Sequence, residues 1–323
     1  MYKKRPLFIS SSLYGSTYTK CNMEAYYSNP TNYVEGQLGF QNDFETDIIP
    51  LPTYIIGEAL QFGARQKIKT MTAPTIWQYA DEARNVSIKD ELNFSHYYYD
   101  YMFSCGEELN YIFPDKEILA FISSPLDFGV MIFGLPKWLE MLLFEEEVFF
   151  EWLKRFIDYH NEYKKRLAAT GVGFLCVSNV FLNNKIVNRK IIINKILPFL
   201  NQHLDESVPS IIHSSFMPLT ATINCLEGLT SSIGYVVNES DKIVDIGKSI
   251  KEEKLLIGNI GSEYMYKRTP DTIERKTVEV LEDTSDVNQF ILATTGADLD
   301  LRTSHDQIKG IYRGLNRYEE KYR

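Results

Sequence analysis

Side chains capable of acid–base or ligand chemistry follow several short apolar runs of this 323-residue chain. His213 ends one such run, Glu239 lies just beyond a second, and Asp298 lies beyond a third. An imidazole titrates near neutral pH, and carboxylates can orient a polar substrate or move a proton. If the runs are parallel strands of one sheet, their carboxyl ends meet at the same edge. The sequence therefore predicts a polar site in which His213 is the acid–base group or a ligand.

The wider candidate set consists of polar side chains at or near the ends of the predicted strands. We assign catalytic roles to His213, Asp47 and Glu239, and substrate binding to the remaining polar groups: Ser123, Asn179, Asn238, Asn259 and Asp298. The two amides at 179 and 259 would orient a substrate by hydrogen bonding. A structural interpretation stays open for His213 as a satisfied strand-end residue, and for Asp47 as a carboxylate that holds a loop.

Eight apolar runs predict the strands that must position these groups. They cover residues 7–12, 47–51, 119–123, 172–178, 210–213, 234–237, 255–260 and 290–294. Most are continuously apolar, which is typical of strands covered on both faces. Helical periodicity fills the stretches between them, so the order is β then α, repeated about eight times. We predict an α/β fold, a (β/α)8 TIM barrel with additional N-terminal helices, in a single domain spanning residues 1–323.

Composition, net charge and the absence of certain motifs argue against several other classes of protein. A doubly wound sheet is the competing fold, but no GxGxxG or P-loop follows an early strand. Four cysteines without a CxxC pair exclude a disulfide scaffold and a local zinc knuckle. A net charge of −9 disfavours a nucleic-acid platform. Apolar stretches are too short for a membrane span or a signal peptide, so we expect a cytoplasmic protein.

Motifs in a fixed order along the chain point to a family. They read FETDIIP at 44–50, GEALQFGA at 57–64, SSPLDFG at 123–129, IIHSS at 211–215 and LIGNI at 256–260. With these motifs the chain resembles the uroporphyrinogen decarboxylase superfamily, and within it the corrinoid-dependent methyltransferases of the methylcobalamin:coenzyme M type. The resemblance extends over residues 25–318. It implies a TIM barrel and a methyl-transfer activity.

The methyltransferase branch holds zinc with a His-x-Cys after strand five and a cysteine after strand eight. In this chain His213 matches the histidine, but Ser215 and Ala297 stand at the two cysteine positions. Neither side chain can replace a thiolate as a zinc ligand. We therefore expect no standard zinc site, and a harder site built from His213, Glu239 and Asp298 is the remaining metal alternative.

The resemblance implies a methyltransferase that moves a methyl group between a small methylated substrate or acceptor and a corrinoid, which a partner protein carries. Demethylation of an O-methyl or N-methyl substrate needs positioning and proton assistance more than a thiolate-bound metal. One alternative is a divergent carboxy-lyase of the decarboxylase type, although residues 10–19 lack the arginines that bind its poly-anionic substrate. Another is a binding relative without catalysis. We expect no nucleic acid or membrane partner.

Overall fold

The computed structural model describes residues 5–80, 94–214, 217–251, 253–296 and 298–322. Its strands in chain order are β1 (Leu7–Phe8), β2 (Ile48–Pro50), β3 (Arg65–Lys69), β4 (Thr72–Gln78), β5 (Glu117–Ser123), β6 (Phe174–Ser178), β7 (Ser210–His213), β8 (Ser232–Val236), β9 (Leu255–Gly261) and β10 (Phe290–Thr295). Eight of them close a parallel barrel in the order β1-β2-β5-β6-β7-β8-β9-β10. The predicted TIM barrel is confirmed, and each of the eight predicted runs supplies one barrel strand.

The hairpin of β3 and β4 was not predicted. The two strands pair antiparallel and lie outside the barrel, after β2. Their side chains are mostly exposed or half-buried, with Pro74 as the buried exception. A hairpin with so little apolar burial lacks the continuous apolar run that identified the barrel strands.

Helices cover the outside of the barrel and its N-terminal approach. In chain order they are α1 (Met23–Tyr26), α2 (Pro30–Asp43), α3 (Tyr97–Ile112), α4 (Pro125–Phe133), α5 (Leu135–Phe144), α6 (Glu146–Ala169), α7 (Arg189–Ile191), α8 (Leu197–His203), α9 (Leu219–Leu226), α10 (Ile243–Ser249), α11 (Ser262–Lys267), α12 (Pro270–Asp283) and α13 (His305–Tyr322). Short 3-10 helices occupy Tyr14–Tyr18 and Ile55–Phe62, and a π-helical turn joins α7 to α8. The additional N-terminal helices are confirmed.

Local signals in the sequence account for several helix ends. Thr269 caps α12, where its side chain accepts a hydrogen bond from the backbone N–H of Thr272. Before α13, the backbone N–H of Ser304 donates to the Gln307 side chain, and the Gln307 N–H donates to the Ser304 hydroxyl. This reciprocal pair is a capping box. Gly63 ends the second 3-10 helix with φ of 95°, a conformation that favours glycine.

The inside of the barrel is filled by an apolar layer. Its members come from all eight barrel strands and are Phe8, Ile48, Leu119, Phe174, Cys176, Ile211, Val236, Ile257, Ile291 and Ala293. We call this set the lumen layer. Alternate residues of the same strands, such as Ile49, Ile118 and Ile212, belong to the separate core between barrel and helices. Both faces of the strands are thus buried, which explains their continuous apolar runs. The lumen layer also separates the two ends of the barrel.

No helix in the described ranges is both long and apolar enough to cross a bilayer.

Candidate functional site

A polar cleft opens at the carboxyl ends of β8, β9 and β10. Its volume is about 560 Å³. We call it the mouth cleft, and its lining residues are Asn238, Glu239, Ser240, Ser262, Glu263, Tyr266, Thr295, Gly296, Asp298, Asp300 and Arg302. A small cavity of about 20 Å³ lies beside it, between the lumen layer and the polar side chains of Ser10, His213 and Thr294. Thr295 and Gly296 line both spaces, so the two adjoin.

His213 is the last residue of β7, where parallel pairing with β6 and β8 holds its backbone. Its carbonyl accepts the N–H of Asn179 at 2.9 Å. The ring lines the small cavity above the lumen layer. Burial lowers the pKa of His213 to about 4, so the imidazole is neutral at neutral pH. A neutral ring can donate one hydrogen bond and accept another. The catalytic role of His213 remains a prediction.

Asp298 follows β10 and is anchored to the start of the chain. Its Oδ1 accepts hydrogen bonds from the hydroxyls of Ser10, at 2.8 Å, and Thr53, at 3.1 Å. The backbone of the neighbouring Leu299 donates to the Ser10 carbonyl at 2.8 Å. Burial raises the pKa of Asp298 to about 6, and the hydrogen bonds counter part of that rise. The carboxyl group is therefore mostly ionised at pH 7.

Glu239 follows β8 and is exposed in the mouth cleft. Its carboxylate lies directly over Gly261, because a Cβ atom built there would stand 1.2 Å from Glu239 Oε2. Only glycine at position 261 leaves room for the Glu239 carboxylate. The preceding residue, Asn238, accepts hydrogen bonds from the backbone and hydroxyl of Ser240. Asn238 therefore shapes the turn that presents Glu239.

Two buried polar atoms near the mouth lack a partner within the described part of the chain. They are the hydroxyl of Thr295 and the Oδ1 of Asn259. The amide nitrogen of Asn259 is satisfied, since it donates to the carbonyls of Asn238 and Asp241 at 3.2 and 3.0 Å. Asn259 thus joins the β8 and β9 loops. Thr295 is only 4% exposed and lines both cavities. A buried hydroxyl without a partner is destabilising unless a ligand completes its hydrogen bonding.

Most cations near the mouth cleft are already paired. The guanidinium of Arg302 makes two hydrogen bonds to Asp300, at 2.7 and 2.6 Å, and lies 4.0 Å from the ring centre of Tyr266. Lys267 pairs with Glu263. Across the described residues, no cationic side chain pairs with Glu239 or Asp298. The cleft therefore contains two carboxylates without a counter-charge.

The expectation that Asp47 lies in this site is wrong. Asp47 stands before β2, and it lines a cleft at the N-terminal end of the barrel with Glu45 and Glu117. Its Oδ2 accepts the backbone N–H of Leu7 at 2.8 Å. The first residue of a parallel strand necessarily lies at the opposite end from the strand termini that carry His213 and Asp298. Asp47 therefore does not contact the mouth cleft, and its hydrogen bond joins β1 to the start of β2.

Ser123 and Asn179 end their strands but do not line the mouth cleft or the His213 cavity. The backbone and hydroxyl of Ser123 donate to the carboxyl group of Glu58 at 2.8 and 2.9 Å. Asn179 lines a separate small cavity behind the barrel with His160. Cys176 faces the lumen, so alternation along the strand turns residue 179 outward. The structure therefore brings together His213, Asn238, Glu239 and Asp298, with Asn259 beside them.

Sequence reasoning missed Glu58, which is fully buried in the 3-10 helix over β5. Besides Ser123 it accepts from the hydroxyl of Tyr159 at 3.4 Å, and burial raises its pKa to about 8. A glutamate inside the apolar run IIGEALQF was the available signal. Tyr98 and Tyr99 pack around this group and are buried. These tyrosines therefore pack between the helices and the barrel and do not line the mouth cleft. Ser10 was also missed.

The side chains present do not fit a zinc ion held by one histidine and two thiolates. Ser215 and Ala297 lie outside the described residues, and neither carries a thiol. Cys176 belongs to the lumen layer, where burial raises its pKa. In the described ranges, no three His, Cys, Asp or Glu side chains converge on one point, and the harder site of His213, Glu239 and Asp298 stays an untested alternative.

The profile of the uroporphyrinogen decarboxylase (URO-D) family matches residues 5–317. The chain belongs to the uroporphyrinogen decarboxylase family. A methyltransferase from Methanosarcina mazei has a similar structure, with a TM-score of 0.83 and 11% identity, covering 99% of this chain and 95% of that one. A B12-independent methionine synthase from Shewanella sp. W3-18-1 has a TM-score of 0.62 and 11% identity, covering 93% and 90%.

At these identities the structural similarity shows a shared fold and no more. A search of curated protein sequences finds no match. Within the URO-D family, the mouth cleft of this chain occupies the end of the barrel where TIM-barrel enzymes place their chemistry.

Proposed function

We propose that this protein is a methyltransferase of a corrinoid-dependent system. It would take a methyl group from a small methylated substrate and pass it to a corrinoid that a partner protein carries. Family membership and the fold shared with the Methanosarcina mazei methyltransferase support the general class. The observation that carries the proposal is the mouth cleft, which adjoins the His213 cavity at the carboxyl ends of the strands.

The proposed step has a simple electron balance. The bond between the methyl carbon and its nitrogen or oxygen breaks, and the carbon bonds to the cobalt of a reduced corrinoid, which supplies the electron pair. The leaving atom keeps the pair of the broken bond. It departs readily when it already carries a positive charge or receives a proton. The protein contributes by holding donor and acceptor in line.

The site residues have distinct parts in this scheme. The neutral imidazole of His213 hydrogen-bonds the substrate at the lumen end of the site. Asp298 and Glu239 hold the polar end of the substrate in the mouth cleft. Ser10 and Thr53 fix the Asp298 carboxyl group by hydrogen bonding and act as positioning residues.

Two observations favour transfer of a methyl group from a methylated substrate to the corrinoid over the two alternative reactions, which are methylation of a thiol and decarboxylation. The absence of thiolate ligands at 215 and 297 removes the means of activating a thiol acceptor. A poly-anionic porphyrinogen would need cationic side chains, but Arg302 in the mouth cleft is held by Asp300. Neither the thiol-methylating reaction nor decarboxylation is therefore supported by the side chains of this cleft.

A methyl-transfer assay tests the proposal. The purified protein is mixed with a reduced corrinoid and a panel of O-methyl and N-methyl compounds, and methylation is followed by the corrinoid absorbance spectrum. We expect transfer from at least one compound and a loss of about 100-fold or more in His213→Ala, since the substrate loses its hydrogen bond to the imidazole.

The matched control is His203→Ala, because His203 lies on the outer helix α8. Full activity in His213→Ala would remove the proposed role of that residue. Decarboxylation of a uroporphyrinogen, or binding of a corrinoid protein without any turnover, would overturn the methyltransferase proposal.

A further inference from the structure

We infer that the mouth cleft binds a small organic cation, and that the methylated substrate is a protonated N-methylated amine. This inference rests on the proposed function and names its substrate class. Three features of the cleft support it: the charges that line it, a buried hydroxyl without a partner, and the protonation of the groups nearby.

The charge of the cleft favours a cation. Four carboxylates line it, from Glu239, Glu263, Asp298 and Asp300, against the single guanidinium of Arg302. Arg302 and Lys267 compensate Asp300 and Glu263. Among the described residues, no cationic side chain compensates Glu239 or Asp298, so both charges are available to a ligand. A cleft lined by negative charge concentrates cations. The negative charge of the whole chain, −9, acts in the same direction.

The hydroxyl of Thr295 indicates a ligand with a polar group. Thr295 lines the mouth cleft and the adjoining cavity, and its Oγ1 is buried without a partner. Asp298 lies three residues further along the same segment. An ammonium ion with an N–H can donate to the hydroxyl oxygen while the carboxylates balance its charge. A neutral ether can accept a hydrogen bond from the same hydroxyl, so the uncompensated carboxylates are what favour the ammonium ion over the ether.

The protonation of the site explains why the substrate should carry its own proton. Burial lowers the pKa of His213 to about 4, so its ring has no extra proton to give at pH 7. Asp298, with a pKa of about 6, is mostly ionised there. A protonated amine already has the positive charge that lets nitrogen leave as a neutral molecule when the methyl carbon is transferred. An ether oxygen would need a proton that neither group supplies.

The position of the Glu239 carboxylate requires that residue 261 have no side chain. The Gly261 backbone is in an ordinary conformation, with φ of −63°, so alanine is not strained there. The added Cβ would instead meet the Glu239 carboxylate, whose Oε2 stands 1.2 Å from that position. Gly261→Ala therefore displaces the carboxylate without changing the charge of the protein.

Isothermal titration calorimetry with trimethylammonium chloride tests the inference directly. We expect binding at pH 7.5, and at least tenfold weaker binding of the neutral isopropyl methyl ether. Tetramethylammonium, which has the charge but no N–H, should bind with intermediate affinity. Binding of trimethylammonium should weaken as the pH falls from 7 to 5, because Asp298 takes up a proton in that range.

Four variants separate the contributions. Glu239→Gln and Asp298→Asn should each weaken trimethylammonium binding about tenfold, and Gly261→Ala several-fold. Thr295→Val should abolish the preference for trimethylammonium over tetramethylammonium, and should raise the urea midpoint of the free protein because an unpaired buried hydroxyl is removed. The exposed residue Glu147, on α6, provides the charge-matched control Glu147→Gln, which should bind like the wild type.

Failure of this inference can be told apart from failure of the proposed function. If the ether binds as tightly as trimethylammonium, or if Glu239→Gln and Asp298→Asn bind normally, the cation site is wrong even when methyl transfer from a methoxy compound is observed. If trimethylammonium binds as described but no methylated compound transfers its methyl group, the cation site stands and the methyltransferase proposal fails.

Discussion

Both ends of the barrel open into acidic clefts of nearly equal volume, about 570 Å³ at the N-terminal end and about 560 Å³ at the mouth. We call the first the floor cleft, and its charged lining residues are Glu45, Asp47, Asp115, Lys116 and Glu117. There Asp47 accepts the N–H of Leu7, and Glu45 pairs with Lys116 at 2.8 Å. Among the described residues, no cationic side chain pairs with Glu239 or Asp298 in the mouth cleft, and none pairs with Asp47, Asp115 or Glu117 in the floor cleft. Size and charge alone therefore do not distinguish the functional end.

The two clefts differ in whether a buried polar atom of the described residues lacks a hydrogen-bond partner. The buried hydroxyl of Thr295 belongs to the mouth cleft, whereas no described residue that lines the floor cleft has a buried polar side-chain atom without a partner. The lumen layer separates this end from the floor cleft. Changes in the floor cleft should therefore leave ligand binding in the mouth cleft unchanged.

The largest expected effect comes from the lumen layer itself. Leu119→Ala removes a side chain that is 1% exposed, and we expect it to lower the free energy of unfolding by about 3 kcal/mol through lost burial and the cavity left behind. Urea unfolding measures this change. Leu119→Met is the matched control, since it nearly preserves volume and should cost under about 1.5 kcal/mol. Equal losses in both variants would show that the layer is not closely packed.

A second prediction uses the burial of Asp298 in the mouth cleft. Its pKa in the folded protein, about 6, lies above the ordinary value of 3.8. Between pH 4 and pH 6 the folded state keeps a proton that the unfolded state loses, so the Asp298 contribution makes stability fall as pH rises. Asp298→Asn removes this fall. We expect the variant to be about 2–3 kcal/mol more stable than the wild type at pH 8, and the difference to fall below about 1 kcal/mol at pH 4.

Urea unfolding at both pH values measures the effect, and Glu147→Gln controls for the loss of one exposed charge. The same Asp298 variant should bind trimethylammonium more weakly, so gain of stability and loss of affinity should occur together. A stability difference that does not depend on pH would contradict the assigned protonation of this carboxyl group.

The fold could be predicted because each barrel strand carries its own local signal. The runs around Ile211 and Ile257 are apolar on both faces, so a lumen and an outer core are both implied. The β3–β4 hairpin could not be predicted in this way, because few of its apolar side chains are buried. Its two strands are defined only by their pairing with each other.

The site was predictable where position along a strand decides the location of a side chain. His213 and Asp298 follow strand ends and reach the mouth, whereas Asp47 begins a strand and lies at the floor. Hydrogen bonds between distant segments were not predictable. The contact of Ser10 with Asp298 joins residues 288 positions apart, and the burial that raises the pKa of Glu58 depends on helices packing over β5.

The smallest expected effect concerns the floor cleft and tests whether its carboxylate is only structural. Asp47→Ala leaves the backbone N–H of Leu7 without its acceptor, and we expect unfolding free energy to fall by about 1 kcal/mol. Asp47→Asn keeps an oxygen acceptor in place and should retain most of that stability. Both variants should bind trimethylammonium and transfer methyl groups like the wild type, because the lumen layer lies between Asp47 and the mouth cleft. If Asp47→Ala weakened trimethylammonium binding at unchanged stability, the floor cleft and the mouth cleft would be coupled across the lumen layer, which would contradict this prediction.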